Sequence, residues 1–437
     1  MWFDESVFYQ IYPLGYVGAE RQNDFVTQSH RFSYIEENIK DIKELGANVI
    51  LFNPLFQSSC HGYDTADFYK VDSRLGTNDE FKKLCKVIHQ NDIKIVLDGV
   101  FNQVGRDFFA FKDVLQNREN SRFKDWFYIN FSGNTNYNDG LYYEPWEGHY
   151  ELVKLNLSNP ELLKYLEDAI KMWIDEFEID GLRLDVCYSL PEWFMEHLKR
   201  FTKTLKEDFV LIGEVIHAQN FAKNLTPERL NSITGYECYK GMISSFNSYN
   251  LFEIEYSLTR LFSNVDWALM RGKNLLNFLD NHDVTRVYTN LSDKKHIKAL
   301  YALLFSIPGV PQVYYGSEYG IEGRKENTDY DLRPFINNID KTKNKDLFEY
   351  IKKLCEIRVN NKVLSYGGYN KKALSNKYMA FEREYEGNKI YFAVNIAEQD
   401  VTLNLAQDVG TDLLTEKQIN LSELKIASGE ALIIKIN

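Results

Sequence analysis

The sequence predicts an α/β protein: a (β/α)8 TIM barrel with an inserted small domain after strand 3 and a C-terminal antiparallel β-sandwich domain. Three observations carry this. Short apolar runs of strand length alternate with stretches of helical spacing up to about residue 360. Four of those runs end in carboxylates, at Asp98, Asp185, Glu214 and Asp283, and parallel strands that end in acids collect them at one rim, the C-terminal face of a barrel. Beyond residue 360 the helices stop and short strands follow one another through Gly-, Asn- and Asp-rich turns. A doubly wound open sheet is the alternative, but no Gly-rich phosphate loop follows the first strand.

The elements follow in order. Val7 to Tyr12 is a strand stopped at Pro13; Ile35, Ile39, Ile42 and Leu45 give a helix ended by Gly46, and Asn48 to Phe52 is the next strand. A loop is expected from Gln57 to Gly76. Thr77 or Asn78 then caps a helix to about Gln90, followed by a strand from Ile93 to Val100. The alternation breaks between about Gln103 and Leu152, an aromatic-, Asn- and Gly-rich stretch too long for a structureless loop. It resumes with a helix opened by Pro160, which runs to Phe177. The strand Gly181 to Val186, a helix from Pro191 to Leu205 and a strand from Phe209 come next, then a weak strand within Arg229 to Gly235. Leu251 to Met270 reads as mostly helical. A strand from Leu275, a helix from Lys294 to Phe305, a strand from Val310 to Tyr315 and a helix from Leu347 to Arg358 complete the barrel. The expected units are 1–102 and 153–359 for the two parts of the barrel, 103–152 for the insertion and 360–437 for the C-terminal domain.

Composition bounds the function. The chain has 437 residues, 44% hydrophobic and 26% charged, as in an ordinary soluble globular protein. Its net charge of −12, without a long basic run, argues against nucleic acid and anionic membranes as partners. Five scattered cysteines, an odd number with no C-x-x-C pair, argue against a disulfide framework and against zinc. The first residues show no basic segment followed by an apolar one, so a cytoplasmic location is expected. The 29 Tyr and 29 Phe are numerous; flat amphipathic rings suit sugar faces as well as cores.

The strand Gly181-Leu182-Arg183-Leu184-Asp185-Val186 sets a guanidinium and a carboxylate on one face. Several carboxylates at one rim suit either a metal site or acid-base chemistry. None of the eight His sits in an H-x-H or H-E-x-x-H pattern, whereas paired carboxylates suit glycoside cleavage, one as nucleophile and one as acid/base. Crowded anions also keep one carboxyl protonated near neutrality.

On these residues the sequence resembles the α-amylase family (glycoside hydrolase family 13), over nearly its whole length. Asp98-Gly99-Val100-Phe101-Asn102 resembles its D-x-x-x-N-H region, Gly181 to Asp185 its G-x-R-x-D, Gly213-Glu214-Val215 its third region, and Asn281-His282-Asp283 its N-H-D. The resemblance implies Asp185 as nucleophile, Glu214 as acid/base and Asp283 as the acid that binds ring hydroxyls and stabilises the transition state. It implies Arg183 beside the nucleophile, His282 on hydroxyls of the sugar at the cleavage point, and Tyr63 stacked beneath that sugar with support from His61. Asp98 and Asn102 would support the strand ends. Gln103 stands where the family has His, a contact to the sugar's 6-hydroxyl, and Ser189 stands where some amylases have His and neopullulanase-like members Glu.

Val153-Lys154-Leu155-Asn156 and Asp329-Tyr330-Asp331-Leu332-Arg333 resemble signatures of the cyclomaltodextrinase and neopullulanase-like members, and imply that Asp329 and Arg333 hold the next sugar on the non-reducing side. Those members carry an extra N-terminal domain, for which a first strand at Val7 leaves no room; a monomer or homodimer is expected. The implied activity is retaining hydrolysis of α-1,4-glucosidic bonds, and possibly α-1,6 bonds, in maltooligosaccharides, cyclodextrins or related α-glucans. No cofactor is required for that chemistry, and a structural calcium is possible. Glucanotransferase or isomerase chemistry through the same intermediate, and a non-catalytic α-glucan-binding homologue, are the alternatives.

Overall fold

The computed structural model describes residues 1–216, 225–326 and 328–436. Eight parallel strands form the central sheet: β1 Phe8–Ile11, β2 Val49–Phe52, β3 Lys94–Gly99, β4 Gly181–Leu184, β5 Val210–Gly213, β6 Ser232–Ile233, β7 Leu276–Phe278 and β8 Val310–Tyr314. Their spatial order is β6-β5-β4-β3-β2-β1-β8-β7, and a parallel bridge from Thr234 to Leu276 joins the two ends into a barrel. The alternation of each strand decides what lies inside. Phe8, Val49, Leu51, Val96, Val210, Ile212, Leu276 and Val310 pack together as an apolar plug, while Ile50, Ile95, Leu97, Leu182, Leu184 and Leu211 join the core beneath the helices. Two residues beyond Leu51, Val96 and Ile212 on the same face stand Asn53, Asp98 and Glu214, so the polar rim continues the apolar plug.

The flanking helices carry clear local signals. Thr77 accepts from the Glu80 amide while the Glu80 carboxylate accepts from Thr77, a capping box that opens Asn78–Gln90. Asn159 caps Pro160–Phe177 by accepting from the Glu161 and Leu162 amides. Gly46 ends Ile39–Leu45 at φ +95°.

Three expectations are corrected. The helix drawn over Ile35 to Leu45 is two pieces, Ser33–Glu36 and Ile39–Leu45. The loop expected from Gln57 to Gly76 contains an antiparallel hairpin, Phe56–Ser58 with Thr65–Val71, fixed by the buried Asp72 carboxylate, which accepts from the Ser58 amide and hydroxyl. The helical region begins at Tyr236, not Leu251, as the pair Tyr236–Ser248 and Phe252–Phe262, and stops eight residues short of Met270. Its first helix is rich in Tyr, Ser and Asn and contains Gly241, so its propensity is weak; a side chain at 241 would press within 3.2 Å of Ile254 on the partner helix. The insertion holds a helix, Phe109–Asn117, and a small sheet of Gln103–Gly105, His149–Lys154 and Pro145–Trp146.

Past Lys362–Tyr366 the tail forms an antiparallel sheet in the order Asn370–Leu374, Tyr378–Tyr385, Asn388–Asn395, Ala431–Ile436, Val409–Asp412 and Gln418–Asn420. A second pair, Val401–Leu403 with Leu424–Ile426, covers one of its faces. No helix among the described residues is long and apolar enough to cross a membrane, and all five cysteines are free.

Candidate active site

The site is built on one lateral register. Arg183 of β4 stands opposite Asp98 of β3 and Ile212 of β5. The ladder continues past the strand ends, with the Asp185 amide on Gly99 O at 3.1 Å and the Glu214 amide on Leu184 O at 2.9 Å. Arg183 Nη1 donates to both Asp98 oxygens at 2.7 Å and to Asp185 Oδ1 at 2.9 Å, and Nη2 pairs with Glu214 Oε1 at 2.7 Å. All four side chains are buried. Burial pushes the Asp185 carboxyl well above its usual range; Arg183 opposes this, and Glu214 and Asp98 add to it. Crowding three carboxyls around one cation thus disfavours the Asp185 anion even beside Arg183.

The backbone after the nucleophile position is unusual. Val186, β-branched, sits at φ +38°, ψ +44°, a conformation that strains such a residue. Its amide donates to Glu214 Oε2 at 2.9 Å. Tyr236 also reaches Glu214, at 3.4 Å, and accepts from Asn281.

A second group faces this one. A row of amides fixes His282: Gln312 donates to Gln10 Oε1 at 2.9 Å, and Gln10 Nε2 donates to His282 Nδ1 at 3.0 Å. The ring proton then lies on Nε2, 3.0 Å from Asp283 Oδ2. Arg333 Nη2 donates to Asp283 Oδ1 and to Asp329 Oδ2, each at 3.1 Å. Desolvation alone would raise the Asp283 carboxyl, but His282 and then Arg333 and Arg183 outweigh it and hold it far below the usual carboxylate range. The Tyr63 ring stacks on His282 at 5.7 Å, and its hydroxyl bonds His282 Nε2 and donates to Asp98 Oδ2 at 3.1 Å. The Tyr63 amide donates to His61 Nδ1 at 3.2 Å. Gln103 Nε2 donates to Asp185 Oδ2 at 3.2 Å, and Asn102 donates to Gln103 Oε1 at 2.8 Å.

Above these groups opens a cleft of about 900 Å3. Of the residues singled out in the sequence, Asp185, Glu214, Asp283, His61, Tyr63, Gln103, Asp329 and Arg333 line it. Asp98, Asn102, Arg183 and His282 do not; they lie one layer below, where carboxylates, amides and Tyr63 take up their polar atoms. Sequence reasoning missed Gln10, Asn53, Gln312 and Tyr236. The first three had a signal: an amide inside or at the end of an otherwise apolar strand. Among the described residues no group of three or more His, Cys, Asp or Glu is placed to hold a metal ion.

A closed parallel barrel with paired carboxyls on its C-terminal rim, under a cleft walled by aromatic rings, defines a barrel enzyme of the glycoside-hydrolase class. The alpha-amylase catalytic-domain family matches residues 10–338, and the chain belongs to the alpha-amylase family. It is 30% identical over 443 residues to the cyclomaltodextrinase of Thermoanaerobacter pseudethanolicus, covering 96% of this chain and 75% of that protein. It is 29% identical over 420 residues to the intracellular maltogenic amylase of Bacillus subtilis, covering 90% and 69%. Among solved structures, the cyclic α-maltosyl-(1→6)-maltose hydrolase of Arthrobacter globiformis superimposes with a TM-score of 0.85 at 25% identity, covering 100% of both chains.

Proposed function

We propose that the protein is a retaining glycoside hydrolase that cleaves α-1,4-glucosidic bonds, and α-1,6 bonds in related substrates, in maltooligosaccharides, cyclodextrins or similar α-glucans. The observation that carries this is the Arg183 guanidinium bridging Asp185 and Glu214. The nitrogens of one guanidinium hold two carboxyl groups side by side. That suits a retaining pair, about 5–5.5 Å apart, rather than an inverting pair, which leaves about 6.5–9.5 Å for a water.

Asp185 attacks the anomeric carbon, the glycosidic bond breaks, and Glu214 gives its proton to the leaving oxygen. Glu214 then takes a proton from water, which attacks the same carbon and releases Asp185, so the product keeps the α configuration. Asp283, held anionic, binds the ring hydroxyls and offsets the positive charge that develops on the ring, and His282 supports it from the layer below. Tyr63 stacks beneath that sugar, His61 supports it, and Asp329 and Arg333 hold the next one. Asp98 and Asn102 act from below. No step needs a metal or organic cofactor. The names of the relatives support the substrate class, that of the Arthrobacter enzyme the α-1,6 linkage, and that of the Bacillus relative a cytoplasmic location.

Incubation with maltotriose, maltohexaose, cyclodextrins, panose and pullulan, with the anomer followed by NMR and Asp185→Asn as control, tests the reading. Shorter α-anomeric products from the wild type alone are expected. Products longer than the substrate would identify glucan transfer through the same intermediate, and binding without turnover would overturn the hydrolase.

A further inference from the structure

Gln103 is 2% exposed, so its amide has few partners to choose from. Asn102 Nδ2 donates to Gln103 Oε1 at 2.8 Å, which fixes the orientation of the amide and turns its NH2 toward Asp185 Oδ2. Gln103 itself is set by the insertion's sheet, where it pairs with Lys154. Arg183 holds Oδ1 of the same carboxylate. Both oxygens of Asp185 are thus held, one by a cation and one by a neutral donor that does not titrate in water's pH range.

We propose that Gln103 is a positioning residue for the nucleophile: it aims the Asp185 carboxylate and favours its anionic form. This rests on the hydrolase reading above and departs from the sugar-hydroxyl contact that the resemblance implied. The charged and titratable groups around Asp185 are Arg183 on its own strand, Asp98 from β3, Glu214 from β5, and Tyr63 and Tyr188 from the loops above. The two nearest acids disfavour the anion, so each donor on Asp185 matters. The His found in the family at this position would add a titrating group; glutamine gives the same donor at every pH.

The test is the pH profile of maltohexaose cleavage by wild type, Gln103→Leu, Gln103→His and Gln103→Glu, with kcat and KM separated. Wild-type turnover establishes the hydrolase first, so its absence speaks against that reading and not against this one. Gln103→Leu is expected to lose about ten- to a hundredfold, in kcat more than in KM, and to move the acid limb of kcat/KM up by about one pH unit. Gln103→His, whose ring N–H can donate, restores part of the rate. Gln103→Glu keeps the size, removes the donor and adds an anion, so its limb moves furthest; it carries the test if the leucine variant does not fold. A rise in KM alone, with the acid limb unmoved in both the leucine and glutamate variants, would overturn the proposal and make Gln103 a sugar contact only.

Discussion

Arg183 is the residue whose loss touches most of the site at once. Its guanidinium is the cation among Asp98, Asp185 and Glu214, and all its carboxylate contacts are buried. Replacing it by Met leaves three crowded carboxyls without a counter-charge, and removing one partner of a buried ion pair costs about 3–5 kcal/mol. Arg183→Lys keeps the charge but is a point donor that cannot span three carboxylates. Urea unfolding should show a large loss for Arg183→Met and a smaller one for Arg183→Lys, while maltooligosaccharide cleavage falls by at least about a hundredfold in both. Equal stability of Arg183→Met and wild type would mean that the carboxyls take up protons freely. Asp283 is the contrasting acid: His282 and Arg333 hold it anionic. Asp283→Asn keeps the shape and removes the charge that His282 and Arg333 hold, so kcat should drop by about 10² to 10³ and the melting temperature should fall as well.

At the scale of elements, the hairpin Phe56–Ser58 with Thr65–Val71 is where sequence and structure part most. Its organiser is Arg74, which donates from Nε and Nη2 to the two Asp72 oxygens at 2.9 and 2.8 Å and from Nη1 to Glu20 O at 2.9 Å and Cys60 O at 2.8 Å. Both side chains are buried. One ion pair thus pins two cleft-lining segments, Glu20-Arg21 and Cys60-His61. Asp72→Ala strands a buried guanidinium and should cost about 3–5 kcal/mol; a raised KM for maltooligosaccharides in the surviving folded fraction would show that the cleft wall has loosened. None of this is legible from periodicity, because Ser58, Asp72 and Arg74 are brought together by a fold-back and not by a repeat. The strands β2 to β5 and β7 are legible because each is a short apolar run closed by a polar residue, and the helices at Asn78 and Pro160 because their caps are local. The helix Tyr236–Ser248 was not, since its stability comes from packing on Phe252–Phe262 and not from its own residues. For the site, motifs at strand ends located the acids, whereas the Gln312–Gln10–His282 row joins β8, β1 and the loop after β7, and only the pairing of β8 with both β1 and β7 makes them neighbours.

Over the whole molecule, barrel and tail are joined by buried arginines that meet carbonyls. Arg383, from the C-terminal sheet, donates to Ser306 O at 2.7 Å and to Leu364 O at 3.1 Å, and Arg358, from the last barrel helix, donates to the same Leu364 carbonyl. Burial pushes Arg358 down to about 10 and Arg383 well below its usual value. A buried charge within the barrel enters its stability directly. Glu318, just past β8, is the clearest case. It is buried, accepts from the Tyr9 hydroxyl at 2.6 Å, and has no described partner for Oε2. Burial raises its carboxyl from the ordinary 4.5 to about 7. Between those values the folded protein keeps a proton that the unfolded chain has released. The contribution is therefore fully present below pH 4.5 and is lost as pH rises to about 7, a change of about 3 kcal/mol. Glu318→Gln cannot ionise, so its stability relative to wild type should improve by that amount between pH 4.5 and pH 8 in urea unfolding. The paired carboxylate Asp180, held low by His89 and Lys206 against its burial, acts in the opposite sense but at more acidic pH and equally in both proteins, so it cancels in the comparison. A stability difference between variant and wild type that stays constant across that range would mean Glu318 is ionised in the fold, with its charge met by neighbours other than Tyr9.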